Sequence, residues 1–393
     1  MANFIPYGRQ DISQEDLEAV KEVLCSDWLT QGPAVTAFED ALKNYCDVSY
    51  AVACCNATAA LHLACKALGV GPGDYVWTSP NTFTASANCA RFCGAEIDFV
   101  DIDPDTYNLS VIELEKKLIQ AQKNNQLPKV VIPVHFAGQS CDMVAIKKLA
   151  DQYGFKIIED ASHAIGGKYL GQPIGSCGYS DITVFSFHPV KIITTGEGGA
   201  CLTNNGQLAE TMSLLRAHGI TRDPAKMINS CEGAWYYEQV DLGFNYRITD
   251  MQCALGVSQM KRLENYISKR NQVAEQYQEL LKDLPLKLPL VKSECVNAFH
   301  LYVIQVLPES GKNRKEIFDH LRANKIGVNV HYIPVHRQPY YENLGFKKGD
   351  FPVAEKYYEH AISLPMFPNL THQDLARVAG LLEEILVPET VAL

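Results

Sequence analysis

The chain has 393 residues, 47% hydrophobic and 20% charged, with a formal net charge of -10 and no basic tract. This composition suits roughly two folded domains and excludes a disordered or fibrous chain, while the acidic balance argues against nucleic acid as the main partner. No stretch reaches the roughly 18 apolar residues of a membrane span, Met1 to Tyr7 lacks a basic-then-apolar leader pattern, and the thirteen cysteines form no CxxC pair, so the expectation is a cytoplasmic protein with reduced thiols and no membrane partner.

In chain order, short apolar runs alternate with helical patterns: Tyr50 to Ala53, Ala57 to Leu68, Tyr75 to Thr78, Thr82 to Phe92, Ile97 to Val100 and Ile112 to Ala121. Lys129 to Val134, Met143 to Gln152, Phe155 to Ile158 and Ile182 to Phe187 continue the rhythm. This predicts an α/β fold with a mainly parallel sheet, whose strand carboxyl ends collect the ligand chemistry. Thr249-Asp250 starts a predicted long helix reaching Leu281, before Leu284-Pro285 ends it. Ala298 to Val306, Arg314 to Ala323, Gly327 to His331 and Thr371 to Leu386 then read as a smaller α+β unit. The expected division is 1–250, a large cofactor-binding domain with the N-terminal segment, and 251–393, the linking helix with a small C-terminal domain.

Lys191 follows the apolar strand in Phe185-Ser186-Phe187-His188-Pro189-Val190-Lys191 and precedes the glycine-rich turn Thr194-Thr195-Gly196-Glu197-Gly198-Gly199. A lysine that must be neutral part of the time, and aimed at one carbon, belongs at such a rigid strand end. Asp160 closes an earlier strand and is the carboxylate expected beside a protonated pyridine nitrogen, whereas Glu159 should point to the opposite side of the extended segment. Together they predict pyridoxal phosphate chemistry. Thr58 and the backbone at Ala57, where a strand turns into a helix, are the expected phosphate donors, with Ser186 adding a hydroxyl; an ordinary helix cap at Asn56 or Thr58 is the competing reading. Phe83 is placed over one ring face, and His163 near the other face or the hydroxyl edge. His188 is read as structural.

Other chemistries leave little trace. There is no GxxxxGK[ST] loop, HExxH helix or GxSxG elbow. Gly69-Val70-Gly71-Pro72-Gly73 reads as a turn, and His331, His336, Tyr332, Tyr340 and Tyr341 match no common metal-ligand spacing.

Over essentially its whole length the chain resembles the sugar-nucleotide aminotransferases of the DegT/DnrJ/EryC1/StrS family, which are fold-type I pyridoxal phosphate enzymes. The resemblance rests on Asp27-Trp28-Leu29-Thr30-Gln31-Gly32-Pro33, Gly71-Pro72-Gly73-Asp74, Val134-His135-Phe136-Ala137-Gly138, Glu159 to His163, Ser186 to Gly199, and Gly243-Phe244-Asn245-Tyr246-Arg247. It implies that Lys191 is the Schiff-base lysine, that Asp160 pairs with the pyridinium, that Ala57, Thr58 and Ser186 hold the phosphate, and that Asn245 reaches the partner subunit's site in a homodimer.

Two departures stand out: Asn56-Ala57-Thr58 where many relatives have Ser-Gly-Thr, and His163 where many have glutamine. The segments around His163 and Lys191, and Pro6-Tyr7-Gly8-Arg9-Gln10, look like the pseudaminic-acid branch. That branch implies amino transfer from L-glutamate to C4 of a UDP-linked 4-keto-6-deoxy-N-acetylhexosamine. It also implies a sugar-nucleotide cleft lined by Tyr7, Asp27, Trp28, Leu29, Thr30, Asn56, Ser186, Asn245, Asn329, Val330, His331 and Tyr332. Arg247 is read either as a diphosphate partner or as a domain salt bridge. An aminotransferase for another NDP-keto sugar, at C3 or C4, and a non-catalytic cofactor- or sugar-nucleotide-binding regulator are the two rival readings.

Overall fold

The computed structural model describes residues 3–229 and 231–387. Seven strands form the main sheet: β1 (Tyr50–Cys54), β2 (Tyr75–Thr78), β3 (Glu96–Phe99), β4 (Val130–Ile132), β5 (Lys156–Asp160), β6 (Ile182–Ser186) and β7 (Gly199–Thr203). Their order across the sheet is β1-β7-β6-β5-β4-β2-β3. From β6 to β3 every pairing is parallel, while β7 runs antiparallel to both β6 and β1.

Every residue of β6 and β7 is buried, as strands covered by helices on both faces must be. The α/β expectation holds. All thirteen cysteines are free, eight of them buried. Among the described residues, no helix is long and apolar enough to cross a membrane.

A second core gathers around β8 (Leu286–Lys287), β9 (Tyr302–Val306) and β10 (Ala361–Leu364), packed by residues of the helices Leu263–Leu281, Arg314–Ala323 and His372–Leu386. Ile5 belongs to this core, because its N–H donates to the Lys325 carbonyl and its own carbonyl accepts from Gly327 N–H. The N-terminal segment, expected with the first body, therefore packs with the second. We propose to keep the division near residue 250 with that amendment.

The predicted long helix is two helices, Asp250–Met260 and Leu263–Leu281. Thr249 starts the first with a capping box completed by Gln252. At the break, the side chains of Gln259 and Arg262 both converge on the buried carboxylate of Asp16. Two more expectations are corrected. The helix predicted from Thr82 begins at Ala85, and Gly327 to His331 is not a strand: Gly327 N–H donates to the Ile5 carbonyl and Asn329 makes an isolated bridge with Ser363.

Candidate active site

β5 and β6 lie side by side in parallel register, with Asp160 opposite Val184, so Asp160 and Ser186 emerge together at the carboxyl edge of the sheet. They open on a cavity of about 610 Å³. Tyr7, Asn56, Ala57, Thr58, Phe83, Asp160, His163, Ser186, Lys191, Asn329, Val330, His331 and Tyr332 all line it. The sequence reading named every one of them.

The loop after β6 folds back on itself to present Lys191. Phe187 N–H donates to the Gly198 carbonyl, Thr195 N–H to the Phe187 carbonyl, and Lys191 N–H to the His188 carbonyl. Lys191 is half-buried by surface area, but its exposed part faces the cavity and protein surrounds it. Burial pulls its ammonium down from 10.5 to about 8, with the charge of Asp160 opposing that shift.

Asp160 is buried, its Oδ2 accepting from Ser86 Oγ at 2.6 Å and its Oδ1 from Ser162 N–H at 3.1 Å. Thr82 Oγ1 stands 2.7 Å from Ser86 Oγ and fixes that hydroxyl. Glu159 points away, as alternation requires, to His135 Nε2 at 2.6 Å and Thr183 Oγ1 at 3.0 Å.

Asn56 is the N-cap of the helix Ala57–Ala67, its Oδ1 accepting from Ala59 N–H at 2.8 Å. The capping reading is therefore correct for Asn56. Ala57 and Thr58 stay at the cavity wall, at the positive end of the helix. Gly199 at the start of β7 lies so close to this turn that a Cβ there would sit 2.5 Å from the Asn56 carbonyl carbon and 2.6 Å from Ala57 N. Gly199→Ala is expected to cost about 1–3 kcal/mol of stability, and to weaken phosphate retention more than Gly196→Ala does; thermal melting and a phosphate titration read the two effects.

His163 carries a defined proton. Its Nδ1 accepts from Ala137 N–H at 3.3 Å, so Nε2 holds the hydrogen that meets Tyr332 Oη at 3.0 Å. Burial first, then Lys191 and His331, keeps it neutral by holding its pKa well below the ordinary imidazole range. Phe83 is exposed and stands 6.3 Å from the Tyr332 ring, centroid to centroid.

Six expected residues do not line this cavity. Trp28 and Leu29 are exposed, and Thr30 forms a bridge with Thr249. Asp27 lies in the same segment, Asn245 bridges Ala217, and Arg247 lines a separate hollow of about 250 Å³ with Arg216 and Glu39. Conversely, His188, read as structural, lines the cavity. Ser86, Thr82 and His300 went unforeseen.

A match to the family described as the DegT/DnrJ/EryC1/StrS aminotransferase family spans residues 10–383. The chain belongs to that family.

The aminotransferase is 40% identical over 387 residues to the spore coat polysaccharide biosynthesis protein SpsC of Bacillus subtilis, covering 98% of this chain and 97% of that one. It is 37% identical over 385 residues to the UDP-4-amino-4,6-dideoxy-N-acetyl-beta-L-altrosamine transaminase of Campylobacter jejuni, covering 97% of each. Among solved structures it is similar to Helicobacter pylori PseC, described as an aminotransferase involved in the biosynthesis of pseudoaminic acid, with a TM-score of 0.89, 31% identity and coverage of 98% and 99%. It is a pyridoxal phosphate-dependent sugar aminotransferase of fold-type I, acting on an NDP-keto sugar and an amino donor.

The residues present fit that cofactor. A carboxylate held by two donors faces a lysine of depressed basicity across one cavity, and the helix N-terminus that closes it is approached by a residue with no side chain. When bound, pyridoxal phosphate supplies an electron-withdrawing ring that accepts the charge left by deprotonating an adjacent carbon.

A lysine attacks an aldehyde only when neutral. With a pKa of about 8, roughly a tenth of Lys191 is neutral at pH 7, against about one part in three thousand at the ordinary value. The rate at which apoprotein captures the cofactor is thus expected to rise with pH through about 8 and then level, as stopped-flow absorbance will show.

The same depression destabilises the apoprotein wherever the unfolded lysine is protonated. Lys191→Met is expected to stabilise it by up to about 3 kcal/mol at pH 7, and the gain should vanish above about pH 10.5, where the lysine is neutral in both states. Denaturant titrations at the two pH values read the difference.

Proposed function

We propose that the enzyme transfers the amino group of L-glutamate to C4 of a UDP-linked 4-keto-6-deoxy-N-acetylhexosamine in pseudaminic acid biosynthesis, as a cytoplasmic homodimer with shared active sites. The observation that carries this reading is that Lys191 and Asp160 share one cavity with Tyr7 and Asn329 to Tyr332, of which Tyr7 and Asn329 are tied by backbone hydrogen bonds to Met366 and Ser363 beside the second core. The reacting end is thus built on the sheet, while the opposite wall offers hydroxyl, amide and imidazole groups suited to a sugar. Similarity to the Campylobacter transaminase and to PseC supports the choice of sugar.

In this reading Lys191 Nζ takes the proton from the α-carbon of the amino acid and returns it at the cofactor's C4′. It makes the reverse transfer when the sugar is aminated, so one base serves both half-reactions. Asp160 holds a proton on the ring nitrogen, and Ser86 and the Ser162 N–H hold Asp160. Ala57, Thr58 and Ser186 are the proposed phosphate contacts, Phe83 and His163 the proposed contacts to the ring. Trp28, Leu29, Ile228, Trp235 and Leu242 are large apolar side chains left exposed in the single chain, as residues that a second copy covers would be. Such an interface would bring Asp27 to Thr30, Asn245 and Arg247 toward the partner's cavity.

Similarity to SpsC favours a second reading, amination of a different NDP-keto sugar. Incubation with glutamate and a panel of keto-sugar nucleotides, followed by NMR of the product, tests both. The expected product is a UDP sugar aminated at C4. Preference for a dTDP- or GDP-linked sugar, or amination at C3, would replace it with the second reading.

A further inference from the structure

The cavity contains a histidine that neither the sequence nor the reaction scheme employs. His300 lines the wall and is 5% exposed. It is set there by a tight corner: Phe299 adopts a φ of 44°, its N–H donates to Asn297 Oδ1 at 2.8 Å, and Ala298 and Leu301 N–H donate to the Gly138 and Ala137 carbonyls. The corner fits only because residue 138 is glycine, since a Cβ there would meet Phe299 N at 2.7 Å. The imidazole of His300 consequently lies 4.4 Å from that of His163, centroid to centroid.

Its neighbours are saturated and it is not. His163 uses both ring nitrogens, on Ala137 N–H and Tyr332 Oη. His331 uses both, on Ser363 Oγ at 2.8 Å and Asn329 Nδ2 at 3.4 Å. Among the described residues His300 has no hydrogen-bond partner, and its Nδ1 is fully buried. A buried polar group left this way is costly unless something else engages it.

Charge points the same way. Arg270 lies behind the corner at 1% exposure, donating to the Phe299 and Met366 carbonyls and, among the described residues, pairing with no carboxylate. Burial lowers its pKa only to about 10, so it stays cationic. A buried cation without a counter-ion is unfavourable; burial first, then the charges of Lys191 and Arg270, keeps the His300 imidazole neutral. Among the described residues no arginine lines the cavity.

We propose that His300 binds the α-carboxylate of the amino donor, forming an anion subsite backed by Arg270. An amino acid that offers its α-hydrogen to Lys191 Nζ carries a carboxylate on that same carbon, within a few ångströms of the lysine, and the keto sugar has no such group. The inference rests on the proposed reading that the donor is an α-amino acid. The proposed phosphate subsite is a different one, at the N-terminus of the helix Ala57–Ala67.

The test separates the two half-reactions in holoenzyme carrying His300→Phe or His300→Gln. Binding of glutarate, an unreactive dicarboxylate, is measured by calorimetry. Alongside it are measured the glutamate concentration needed to convert the bound cofactor to its amine form, and the rate at which amine-form enzyme aminates the keto sugar. His300→Phe is expected to weaken glutarate binding and raise the glutamate requirement about 10- to 100-fold, with sugar amination within about threefold of wild type. His300→Gln, which keeps an N–H donor, should recover much of the loss.

Wild-type glutarate affinity in folded His300→Phe enzyme would overturn the proposal. So would equal damage to both half-reactions, or loss of bound cofactor in both variants, because either marks a structural role. If the wild type prefers glutamine or alanine to glutamate, the donor assignment fails, and the same comparison with that amino acid decides the part played by His300. Wild-type enzyme converted by no α-amino acid overturns both.

Discussion

Lys191→Ala is expected to lower amino transfer by about 10⁴-fold or more, because in the proposed reading one side chain supplies both the covalent anchor and the proton carrier. The variant should still retain pyridoxamine phosphate, since none of the proposed ring and phosphate contacts other than Lys191 is touched. In the unaltered protein, borohydride should erase the visible absorption of lysine-bound pyridoxal and leave the cofactor attached to the peptide containing Lys191. Attachment at any other lysine, or comparable turnover in the variant, would refute the assignment. The cavity geometry makes the outcome sharp: among the described residues Lys191 is the one lysine lining this cavity.

The second large effect is expected at Asp160. Asp160→Asn keeps the shape and the contacts with Ser86 and Ser162 but removes the charge proposed to retain a proton on the ring nitrogen. A loss of about 10²–10³-fold in turnover is expected, comparable to deleting one preorganised electrostatic partner in other active sites. Ser86→Ala, which removes a single 2.6 Å hydrogen bond to Asp160, should cost about tenfold. Glu159→Gln should act on stability instead, because that carboxylate is buried against His135 and Thr183 on the other side of the strand. Steady-state kinetics beside thermal melts will distinguish the two acids. Equal kinetic effects at positions 159 and 160 would contradict their opposite orientations.

Why these two positions were readable from the sequence, and others were not, follows from distance along the chain. Lys191 and Asp160 sit at or just past the ends of apolar strands, where period-two alternation and a glycine-rich turn already declare which side faces the ligand. Ser86 and Thr82 support Asp160 from 74 residues or more upstream, a pairing that only the packed sheet creates. His300 had a weaker signal still. A lone histidine between Phe299 and Leu301, in an otherwise apolar run, reads as core, and the left-handed corner that turns it toward His163 has no glycine to announce it. The break at Lys261 was hidden for a similar reason: its cause is Asp16, nearly 250 residues away. In place of the strand expected at Gly327 to His331, Gly327 N–H donates to the Ile5 carbonyl and Asn329 N–H to the Ser363 carbonyl, two partners remote in sequence and on different segments. Asp27 to Thr30, Asn245 and Arg247 were named from resemblance, and within one chain they lie outside the cavity.

Tyr7 reaches that cavity through a segment stitched to the far body, its carbonyl accepting from Met366 N–H at 2.9 Å. In the proposed reading, Lys191 and Asp160 are therefore anchored to the main sheet, while Tyr7 on the proposed sugar wall is anchored to the second unit. Exchanging residues 3–8 together with 327–333 for those of a relative ought to redirect which hexose is taken while leaving the yellow colour and the amine-loading step intact, a modular route by which one lineage could diversify its glycans.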